Sequence, residues 1–76
     1  MMTLFRKIKD LILCGYKISF YSEGMHFYIS VKAMRGNKSY SRLSAMPIQD
    51  HLEEGRIIEC IDWSINALNE DIESQN

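Results

Sequence analysis

The spacing of apolar residues changes twice along the chain, and each change calls for a different backbone. Over residues 3–14, Leu4, Ile8, Leu11 and Ile12 recur at helical spacing with Phe5 at the edge, while Arg6, Lys7, Lys9 and Asp10 face water. Thr3 is placed as N-cap, and Gly15 supplies the positive φ that closes a helix, with Tyr16 as the closing contact. From Tyr16 the period is two, which predicts strands over 16–22, 25–34 and 39–46, the last ended by Pro47 because proline cannot donate to a ladder. Helical spacing then returns. Ile57, Ile58, Ile61, Ile65, Leu68 and Ile72 fall within about 100° of arc, predicting a helix over 51–73 with Asp50 and Glu53 as a capping box. Gly55 marks a bend or a later start.

Register follows from keeping apolar residues on one face. A turn at Glu23-Gly24 pairs Phe20 with Phe27, Ile18 with Ile29 and Tyr16 with Val31. For the second hairpin, a two-residue turn at Gly36-Asn37 would set Val31 against Arg42 and mix the faces. A three-residue loop, Gly36-Asn37-Lys38, instead pairs Val31 with Leu43 and Ile29 with Ala45, and is preferred. The expected fold is α+β: an αβββα two-layer arrangement, a three-stranded antiparallel sheet with both helices on one face.

Seventy-six residues leave room for one core, so residues 1–76 are read as a single domain. The formal net charge of −1 conceals a division. Residues 1–46 carry eight basic residues and two acids, net +6, and residues 47–76 carry one basic residue and eight acids, net −7. Cys14 and Cys60 form no disulfide framework and read as buried or half-buried free thiols. Charges interrupt every apolar run long before the ~20 residues a membrane span needs, so a soluble, cytoplasmic protein with no membrane partner is expected.

With the inner face assigned, the outer sheet face collects Lys17, Tyr21, His26, Tyr28, Lys32, Met34, Tyr40 and Arg42, with Lys32 set beside Arg42. Aromatic residues interleaved with cations bind nucleic acid by stacking and phosphate contact. Tyr, Met and Arg are also what protein interfaces enrich, and strands carry Tyr and Lys for structural reasons alone. A second patch lies on the last helix, where Glu53, Glu54, Glu59 and Asp62 accompany Trp63. That tryptophan points about 190° from the isoleucine stripe, beside Cys60 and Ala67, and offers a partner or homodimer contact.

No catalytic constellation emerges. His26, His51, Cys14 and Cys60 lack any short chelating pair, so no metal is expected. Asp50-His51-Leu52-Glu53-Glu54 groups an imidazole with carboxylates, but acids in a first helical turn are what the helix dipole favours. No enzyme and no cofactor are expected.

The element order resembles that of double-stranded-RNA-binding domains in topology only. Their loop histidine and lysine-rich helix start are replaced by Ser22-Glu23-Gly24-Met25 and by the acids around His51. In size and layout, Leu4–Gly15, Tyr16–Met46 and Glu54–Ile72 resemble small phage-encoded anti-CRISPR proteins. That resemblance implies a non-enzymatic protein that blocks a bacterial host machine by occupying a surface, with a host protein or protein–nucleic-acid complex as partner. The alternative read from the residues is direct nucleic-acid binding through the basic, tyrosine-rich face.

Overall fold

The computed structural model describes residues 3–48 and 53–74. Its order is α1 (Leu4–Leu13), β1 (Tyr16–Glu23), β2 (His26–Arg35), β3 (Lys38–Pro47) and α2 (Glu54–Ser74), with the strands antiparallel in the order β1-β2-β3. The α+β, αβββα reading therefore holds. In α1 the Thr3 side chain accepts from the Arg6 amide at 3.2 Å, and Cys14 caps the far end before Gly15 turns the chain into β1. The last helix starts at Glu54 rather than at residue 51, and the Glu53 carbonyl accepts from the amides of Arg56 and Ile57, each at 3.1 Å. The Asp50 cap and His51 lie outside the described residues.

Both hairpins differ from the expected register, for one reason. Each turn places a glycine first: Gly24-Met25 and Gly36-Asn37, with φ 61° at Gly24 and 64° at Gly36. The primed two-residue turns that match strand twist need positive φ at that first position. A turn at Glu23-Gly24 would demand it of Glu23. In the first hairpin the register moves by two residues, so Phe20 faces Ile29 and Ile18 faces Val31, and no side chain changes face.

The second hairpin differs by one residue, which does change faces. Val31 lies opposite Arg42 and Ser30 opposite Leu43. The three-residue loop and its pairing of Val31 with Leu43 are therefore incorrect. Tyr40, Arg42, Ser44 and Met46 point to the inner layer, while Leu43 and Ala45 point out.

The interior forms around Ile29, Val31, Ile57 and Ile61, with Leu4, Ile8, Leu11, Ile18, Phe27, Met46 and Cys60 packed against it. Both helices lie on this inner side, α1 chiefly over β1 and α2 over β3 and β2. The polar residues of β3 find partners on α2. Ser44 and the fully buried Ser64 are hydrogen-bonded at 2.8 Å, and Arg42 pairs with Asp71 at 2.6 Å. Tyr16 donates to Asn69 Oδ1 at 3.2 Å. Two expectations for α1 and the thiols fail: Ile12 is outside the core stripe, and Cys14 is exposed rather than half-buried.

Candidate functional site

The outer sheet face is set by the alternation of the pleat. Lys17, Ser19, Tyr21 and Glu23 of β1 lie beside Lys32, Ser30, Tyr28 and His26 of β2, and these in turn lie beside Ser41, Leu43, Ala45 and Pro47 of β3. Tyr21 and Tyr28 stack with ring centroids 5.0 Å apart and planes at 13°, and His26 tilts against Tyr28 at 6.3 Å. Tyr21, Met34 and Leu43 are all exposed, and both helices are on the other side of the sheet.

At one end of this face Lys17 stands directly opposite Lys32. The two line a shallow hollow of about 260 Å³ with Gly15, Ala33, Met34 and Ser39. Like charges in cross-strand contact repel, so the hollow favours an anionic group. Among the described residues neither lysine has a carboxylate within ion-pair distance.

Six of the eight residues assigned to this surface are on it: Lys17, Tyr21, His26, Tyr28, Lys32 and Met34. Tyr40 and Arg42 are not, because the face change of β3 turns them inward. Lys32 consequently faces Ser41 instead of lying beside Arg42. Leu43 and Ala45 take their place, which pattern reading missed; the signal was the Gly36-Asn37 dipeptide, whose turn chemistry fixes the register.

The acidic helix patch divides. Asp62 is held in an ion pair with Lys7, and Glu54 accepts from the Leu4 amide, so these two acids tie α2 to α1. Glu53 and Glu59 are exposed, and Trp63 is 59% exposed between the half-buried Cys60 and Ala67.

Among the described residues no three His, Cys, Asp or Glu side chains converge as a metal site. No helix in that set is long and apolar enough to cross a membrane. Against known proteins, the chain matches no family model, and neither a curated protein nor a solved structure is detectably similar to it.

Proposed function

We propose that this chain is a non-enzymatic protein-binding module whose outer sheet face docks on a partner protein and works by occupying that partner's surface. A phage or prophage protein that inhibits a host defence or replication machine works in this way. The observation that carries the reading is the position of Leu43 and Ala45 beside Ser30 and Tyr28. They extend the stacked tyrosines into an aromatic and aliphatic surface, with Met34 and the lysine pair at one end. Protein interfaces favour an apolar, aromatic centre with charge at the rim. Single-stranded nucleic acid calls instead for cations running alongside the stacking residues, and here Arg42 is turned away to Asp71.

The partner surface that fits is an apolar patch flanked by a carboxylate, which would be received between Lys17 and Lys32. Capture from a bacterial lysate tests this when the bound protein is stoichiometric, retained by Glu59→Gln and lost by Leu43→Glu. Leu43 is 55% exposed, so its substitution leaves the fold intact. If no stoichiometric partner is retained, the reading fails. It also fails if the chain binds single- or double-stranded nucleic-acid probes with an affinity that falls steeply as salt rises.

A further inference from the structure

The Ile48 amide donates to the Met25 carbonyl at 2.9 Å, continuing the β2–β3 ladder past the last paired residues. Odd-numbered residues of β2 therefore exchange bonds with β3, and even-numbered ones with β1, because antiparallel bonding alternates. The partners of those even residues on β1 are Lys17, Ser19, Tyr21 and Glu23. Ile18, Phe20 and Ser22 must then turn their N–H and C=O groups toward the open edge of the sheet. On β3 the outward positions are the odd ones and include Pro47, whose missing N–H interrupts that edge. β1 carries no such interruption.

Apolar surface accompanies this edge. Phe20 is part-exposed on the inner face, stacked on Phe27 with centroids 5.9 Å apart. On α1, Lys7 marks the side turned to α2 through its pair with Asp62. Phe5 and Ile12 lie roughly 150° round the helix from Lys7, on the side turned away from α2, where β1 ends the sheet. They are 79% and 56% exposed, and together with Leu13 they form a nearly uncharged hollow that only Lys9 interrupts.

We propose that a second copy of this chain occupies the edge, β1 pairing antiparallel with β1 about a two-fold axis at Phe20 to give a continuous six-stranded sheet. The charges on the strand support this occupant. β1 holds one cation and one anion, Lys17 and Glu23, both on the outer face. Each is three residues from Phe20, so the axis sets Lys17 of each copy against Glu23 of the other, Ile18 against Ser22, and Phe20 against itself. Side chains keep their faces in this register, and Phe20 exchanges both backbone bonds with its counterpart. The carboxylate arrives beside a lysine that already faces Lys32, which relieves that repulsion. β3 offers no comparable self-match, since its charges, Lys38 and Arg42, are both positive. The same operation turns the Phe5 and Ile12 stripes of the two α1 helices toward each other, and the contact is isologous and closed.

Sedimentation equilibrium over a range of concentrations, together with amide hydrogen exchange, tests the pairing. Dimer is expected, with concentration-dependent protection of the Ile18, Phe20 and Ser22 amides. Lys17→Glu or Glu23→Lys alone should weaken dimerisation about tenfold, and the double exchange K17E/E23K should restore it. Ser22→Pro removes an outward N–H and should abolish the dimer while circular dichroism stays that of the folded chain. A monomer at every concentration overturns the proposal. So does a dimer that Lys17→Glu leaves unchanged or that Trp63→Ala dissociates, which would put the contact on α2. The outer-face docking is judged separately, by the Leu43 variant, because Leu43 lies on β3, away from the β1 edge.

Discussion

Arg42 of β3 and Asp71 near the end of α2 meet across the inner layer, Nη2 to Oδ2, at 2.6 Å. The pair accommodates a cation on a face that otherwise carries the core, but incompletely, since Arg42 Nε is buried with no hydrogen-bond partner among the described residues. The side chains remain 38% and 44% exposed, so solvent screens their attraction. A double-mutant cycle on Arg42→Met and Asp71→Asn should give a coupling of about 0.2–1 kcal/mol, smaller at high salt. Arg42→Met alone should be close to neutral, because it also removes the unpartnered donor. Urea unfolding at two salt concentrations measures both, and a large, salt-independent coupling would contradict the screened geometry.

Ser64 is fully buried and is bonded to the half-buried Ser44 at 2.8 Å. Removing one hydroxyl strands the other. Ser64→Ala and Ser44→Ala should each cost about 1 kcal/mol, and the double variant should cost little more than either single one. Fully additive losses in thermal unfolding would show that the two hydroxyls do not depend on each other.

These two contacts also explain what could be read from the sequence. Helices and strands were legible because Ile57, Ile61 and Leu68, or Phe27, Ile29 and Val31, state their period without ambiguity. The face of β3 was not. Its sequence Lys38-Ser-Tyr-Ser-Arg-Leu-Ser-Ala-Met-Pro47 places two aliphatic residues on one parity and Tyr40 and Met46 on the other, so hydrophobicity alone favours neither strongly. Turn chemistry at Gly36-Asn37 and the polar partners on α2 decide it. Ser64 and Asp71 stand seven and fourteen residues from Ile57, on the same stripe. A serine and an aspartate there are the trace of a strand that presents polar groups inward. The candidate surface inherits the same ambiguity: its β1 and β2 residues were readable, and its β3 residues required the register.

Leu43 and Met46 test that register directly. Leu43 is on the exposed face and Met46 packs against the core. Leu43→Lys should change stability by no more than about 0.5 kcal/mol, whereas Met46→Lys should cost about 2 kcal/mol or more by burying an unpaired ammonium. The opposite order of midpoints in urea would restore the rejected three-residue loop.

Lys17 opposite Lys32 is a cross-strand repulsion on the surface proposed to bind. Lys32→Glu converts it into an attraction and should stabilise the chain by about 0.2–1 kcal/mol at low salt, with the gain shrinking as salt is added. If the hollow between the lysines receives a partner's carboxylate, the same substitution places like charge against that partner and must weaken binding. Stability and affinity should therefore move in opposite directions in this one variant. Thermal unfolding read beside partner capture checks it. If Lys32→Glu gains stability and keeps its full affinity, the repulsion is an incidental cost of edge protection and the lysine end of the face takes no part in docking.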